Sequence, residues 1–163
     1  MNIAIPSDIE KLKNSQYLRF INITPGTGTK TWKILGIGIT ELETSYNPQI
    51  DTEQWIIEDT ARNDHSGNQK QSSVTQKAYK NDPVFEFINA GRDKLNYTTE
   101  VLEIDTWDGS EGNYPSKLSN ALVSITSYSG SEIGYDLYFN GDPENGTSTI
   151  TSGTPTFTPT ISL

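Results

Sequence analysis

Cysteine is absent from this chain of 163 residues, and histidine occurs once, as His65. The first absence excludes disulfides and thiolate-ligated metals. A single histidine excludes metal centres built on a histidine pair. Any Ser-His-Asp arrangement would have to use His65, yet no G-x-S-x-G turn exists to present a nucleophile. Long apolar runs are also missing, so no segment has the length of a membrane span. The opening MNIAIPSDIEKLK lacks the continuous apolar stretch of a signal peptide, which predicts a soluble protein made in the cytoplasm. Bases are scarce in the second half. From Leu95 onward nine acids face one base, Lys117, within a chain of formal net charge -9. Such a surface repels phosphate and disfavours nucleic-acid binding.

What remains offers little for chemistry. Asp105, Asp108, Glu111 and Asn113 supply oxygen, but not at the spacing of a calcium loop. Glu41 with Glu43, or Glu58 with Asp59, resembles the carboxylate pair of a glycosidase only in composition. Gly26-Thr27-Gly28 and Gly36-Ile37-Gly38 are followed by no helix, so they are not phosphate loops. The reading is therefore a non-enzyme, with no catalytic residue, metal, cofactor, small-molecule substrate or membrane partner.

The length predicts one domain, residues 1–163, with a real core. Residues 1–16 read as an N-terminal arm, with Ser7-Asp8 capping a short helix through Ile9 and Leu12. Tyr17–Thr24 is an expected strand and Pro25–Gly28 a turn. The stretch from Trp32 to Asp59 reads as strand, turn at Asn47-Pro48, strand. In its second limb, Thr52–Asp59, both faces carry apolar residues, so a partner is expected to cover one of them. Residues 60–73 read as a long polar hairpin loop, and Ser72–Tyr79 as a strand.

Asp82-Pro83 before Val84, Phe85, Phe87 and Ile88 predicts a helix of about three turns, with Asp82 at the N-cap and Pro83 in the first turn. Strands are expected at Tyr97–Trp107, Leu118–Tyr128 and Ile133–Phe139, the last ended by Asn140-Gly141-Asp142-Pro143. Residues 141–163, rich in Thr, Ser, Gly and Pro, read as an extended C-terminal arm. The sum is a mainly β protein, an antiparallel sandwich or barrel flanked by one α-helix.

Several of these segments, in order, carry a resemblance. Trp32 with Gly36-Ile37-Gly38, Ser45-Tyr46-Asn47-Pro48, Glu53-Gln54-Trp55-Ile56, the polar loop, and Asp82-Pro83-Val84-Phe85 together resemble the major tail protein of long-tailed bacteriophages, over about Tyr17 to Phe139. The resemblance implies hexameric rings stacked into a hollow virion tube that conducts DNA without binding it specifically. It also implies contacts with other phage tail proteins, and assembly in the bacterial host's cytoplasm. Glu41, Glu43, Glu53 and Glu58 are the implied lumen acids. Arg62, Asn63, Asp64, His65, Gln69 and Lys70 are the implied inter-ring loop. Trp55, Ile57 and Phe157 are the implied subunit contacts. Two neighbouring readings share the features: the inner tube of a contractile tail or phage-like bacteriocin, and a carbohydrate-binding β-sandwich using exposed Trp and Tyr.

Overall fold

The computed structural model describes residues 7–161. Among them are ten strands: β1 (Tyr17–Asn22), β2 (Trp32–Ile34), β3 (Ile39–Ser45), β4 (Pro48–Glu53), β5 (Arg62–Asn68), β6 (Gln71–Lys77), β7 (Thr98–Asp105), β8 (Tyr114–Tyr128), β9 (Glu132–Thr151) and β10 (Thr154–Pro159). One α-helix, α1 (Pro83–Ala90), lies between β6 and β7. The fold is mainly β, as expected. One curled antiparallel sheet runs in the order β2-β1-β7-β8-β9-β6-β3 and forms a half-barrel. β10 pairs with the far half of β9, and β4–β5 form a separate two-stranded ribbon.

Alternation along the strands sorts the side chains into two cores. Ile21, Val101, Ala121, Val123, Tyr135 and Leu137 face the inside of the curl, where Val84, Phe87 and Ile88 of α1 close over them. Phe20, Leu102 and Ile104 point to the opposite face and bury against Tyr114, Leu118, Ile150 and Phe157. β1 and β7 are thus covered on both faces at their centres, where adjacent apolar residues, Phe20-Ile21 and Val101-Leu102, face opposite cores.

The helix forms where it was expected. The Asp82 side chain accepts the Val84 N–H at 3.1 Å and Pro83 fills the first turn. It is shorter than expected, because Gly91 ends it. A Cβ at Gly91 would lie 2.0 Å from the Tyr97 ring, so this crossing admits only glycine. Arg92 and Lys94 fall past the last turn and lie instead over the Tyr128 and Tyr97 rings, at 4.1 and 5.5 Å.

Five segments differ from the expectation. The chain does not reverse at Asn47-Pro48; it kinks there, with Asn47 at φ 43, and runs on as β4. Reversal comes inside Thr52–Asp59, whose apolar centre forms a hairpin tip instead of a strand. Residues 60–73 are correspondingly mostly strand, β5 and the start of β6, because polar side chains suit a ribbon solvated on both faces. Asn140–Pro143 does not stop β9. Asn140 pairs with Asn120 and Glu144 with Leu118, so the intervening residues loop out as a bulge that absorbs Gly141 at φ +72 and Pro143 without an N–H. The C-terminal segment is extended, yet it is no free arm: Thr154–Pro159 folds back on Thr151–Gly146 of its own chain.

At the other end, residues 7–13 form no helix. Only a 3-10 turn, Asn14–Gln16, precedes β1, and Ile9 and Leu12 are exposed with no surface to bury against. Residues 1–6 of the expected N-terminal arm, and 162–163 of the C-terminal one, lie outside the described residues.

Candidate assembly arm and acidic face

β4 and β5 prolong the β3–β6 hairpin beyond the sheet. Ser45 pairs with Gln71 at the sheet margin; past the kink, Pro48 pairs with Asn68 and Glu53 with Arg62. The junction is held by the Gln69 N–H donating to Tyr46 O at 2.9 Å and the Asn47 amide donating to Gln69 O at 3.0 Å. At about 3.3 Å per residue the six positions of β4 make an arm of about 20 Å. Every residue from Ser45 to Ser66 is exposed except Glu58, which is half-buried. An isolated two-stranded ribbon of this kind is marginal in water.

The tip carries the apolar group. Trp55 is half exposed, Ile56 fully and Ile57 86% exposed, three consecutive apolar residues of which the two isoleucines have almost no cover from their own chain. The turn is braced from below. The Glu58 N–H donates to Trp55 O at 2.9 Å and the Gln54 amide to Glu58 O at 2.8 Å. Arg62 pairs with Glu58 and lies 4.2 Å over the Trp55 ring. The apolar group is thus presented on a built scaffold.

The expected loop residues divide. Arg62, Asn63, Asp64 and His65 stand exposed on β5, with Asn63 accepting from Thr52 at 2.7 Å and His65 bonded to Asn68 at 2.8 Å. Gln69 is exposed at the arm's root. Lys70 differs from the rest: it turns inward, 2.6 Å from the Glu103 carboxylate and 4.5 Å over the Phe139 ring, both partners of the ion pair being largely buried. Burial, and then the nearby Glu103 charge, push the adjacent Tyr17 hydroxyl well above the usual tyrosine range.

Of the expected contact residues, Trp55 and Ile57 are on the tip. Phe157 lies elsewhere, half-buried in the second core against Gly146, where a Cβ would meet the Phe157 ring at 2.5 Å.

The expected lumen acids also divide. Glu41 and Glu43 lie exposed on the outer face of β3, while Glu53 and Glu58 sit out on the arm, Glu58 held by Arg62. Register adds an acid that sequence reasoning passed over. Glu43 pairs with Ser73, Ser73 with Asp136 and Asp136 with Ser124, one polar row across four strands. The signal was present, since Asp136 falls on the polar phase of the Ile133–Phe139 alternation. Glu41, Glu43 and Asp136 border a shallow hollow of about 500 Å³ floored by Ser, Thr and Gly, and no base lines it.

Among the described residues no group of three or more acids or histidines is placed to hold a metal ion. No helix among them is long and apolar enough to cross a membrane. No family model matches the chain, and no curated protein is significantly similar to it in sequence.

Proposed function

We propose that this protein is a self-assembling structural subunit, the major tube protein of a bacteriophage tail. The observation that carries the reading is the arm: a solvated ribbon ending in Trp55-Ile56-Ile57, with Trp55 half exposed and both isoleucines almost fully so. Soluble proteins rarely leave contiguous large apolar residues on a projecting tip unless a partner covers them. Two further features support assembly. The half-barrel has unpaired edges at β2 and β3, which neighbouring copies can satisfy by closing a ring. The acidic outer face of β3, β6 and β9 suits a channel wall that repels phosphate and keeps DNA hydrated and mobile.

The test is negative-stain electron microscopy of the purified protein over a range of concentrations, beside light scattering. Hollow rings or tubes are the expected result. Monodisperse monomers at every concentration, with Trp fluorescence that responds to glycans, would move the assignment to a carbohydrate-binding module.

A further inference from the structure

Asparagine precedes glycine twice in this chain, at Asn140-Gly141 and Asn145-Gly146, and both pairs lie on β9. Asparagine is a thermally labile residue. Its side-chain amide can be attacked by the backbone nitrogen of the next residue. Glycine favours that attack, because it has no Cβ to hold the two groups apart and its backbone turns freely. The attack also needs that nitrogen to be released from the ladder.

The fold treats the two pairs differently. Gly146 is buried between two strands, beside Ser116 of β8 and Pro159 of β10. A Cβ there would collide with Thr158 O, so the backbone has no room to turn. Asn145 pairs with Lys117, and its carbonyl accepts the Thr160 N–H at 2.9 Å. Asn140-Gly141 stands in the bulge, and both residues are exposed. β6 pairs with β9 only as far as Tyr138, and β10 only from Gly146. On the β8 side the register jumps from Asn140 opposite Asn120 to Glu144 opposite Leu118. Gly141 is therefore paired on neither side. It sits at φ +72, and nothing lies within 4 Å of the place a Cβ would take.

We propose that Asn140-Gly141 is a site of spontaneous covalent modification, while Asn145-Gly146 is protected by the ladder. The Gly141 nitrogen attacks the Asn140 side-chain carbonyl carbon and closes a succinimide ring. The bond from that carbon to the side-chain nitrogen breaks, and ammonia leaves with the proton that Gly141 gives up. Water then opens the ring at one carbonyl or the other, to aspartate or to isoaspartate. Either product adds a negative charge next to Gly141 and Asp142, which with Tyr46, Lys70, Lys117 and Phe139 line a hollow of about 500 Å³ at the arm's root. Isoaspartate also lengthens the backbone by one carbon, where β9 passes from Leu137 in the first core to Ile150 in the second. The purified chain has no means of reversing the reaction, so the modified fraction grows with age. At Asn145 the same reaction waits for β9 to open locally between β8 and β10.

A glutamate-specific protease cuts after Glu132 and Glu144, so the two pairs fall in separate peptides. The full chain is aged at mildly alkaline pH, digested, and read by mass spectrometry as the gain of an amide becoming an acid. An isoaspartate-specific carboxyl methyltransferase acting on the peptide 133–144 separates isoaspartate from aspartate. In the folded chain, Asn140 should convert roughly tenfold or more faster than Asn145, with isoaspartate in its peptide. In denaturant the two rates should come together. Equal rates in the folded chain, or Asn145 reacting first, overturn the assignment. A gap that persists unchanged in denaturant also overturns it, because neighbouring residues and not the bulge would then set the rate.

Discussion

At the scale of single residues, the buried polar groups set the tests. Lys70 and Glu103 bond at 2.6 Å with little solvent around either. Removing one partner strands the other charge. Lys70→Ala should therefore cost about 3 kcal/mol, lowering the melting temperature on the order of 10 °C. A variant that melts like the parent would show the pair to be solvated. Tyr135 donates to Gln76 at 3.1 Å, and Gln76 donates to Asp82 at 3.0 Å. Burial, and secondarily the Asp82 charge, hold the Tyr135 hydroxyl far above its ordinary pKa. The folded form thus keeps this proton when the unfolded chain releases it. Its contribution is complete below about pH 10 and falls as pH rises further. Tyr135→Phe should lose about 1 kcal/mol at neutral pH through the missing bond, and should show a shallower loss of stability above pH 10. Melting curves across that range measure both effects.

At the scale of elements, the arm is separable from the sheet. Tyr46 and Gln69 already bond across the junction, so replacing residues 48–68 by one glycine leaves Asn47-Gly, a two-residue hairpin turn. The trimmed chain should melt within a few degrees of the parent and fail to form rings or tubes on grids. Tubes from the trimmed chain would assign the arm another task. This element also marks the limit of what the sequence tells. α1 was legible because Asp82-Pro83 is a local instruction and Val84, Phe87 and Ile88 repeat with the helix. Half-buried β9 was legible from its alternation. The arm's register was not, since a ribbon wet on both faces has no apolar phase to read, and Trp55-Ile56-Ile57 looks the same in a strand core as on a turn. The bulge at Gly141–Pro143 was hidden for a related reason: turn residues end a strand or loop out of it according to the partner strand opposite, here β8.

At the scale of the whole molecule, only pairing could bring Asp136 to Glu43, through Ser73, so the acidic face was half visible in sequence. Glu41→Lys, Glu43→Lys and Asp136→Lys combined should leave folding and assembly largely intact, because all three project from the outer face. The same change should convert a surface that ignores DNA into one that retains it at low salt and releases it as salt rises. Gel-shift titration of assembled wild-type and variant protein measures this; equal retention would remove the acids from any channel wall.

β1 contributes Ile21 to one core and Phe20 to the other, yet its sheet partner β7 begins at Thr98, and the strand that spans both cores, β9, begins only at Glu132. Until β7 follows, the first strand can pair only with the short β2, and neither core can close before β9 is present. Closure of both cores thus waits on pairing between strands distant in sequence, the slow kind of contact to form. The arm tip, which needs none of those contacts to form its turn, is ready to stick well before the body that should carry it.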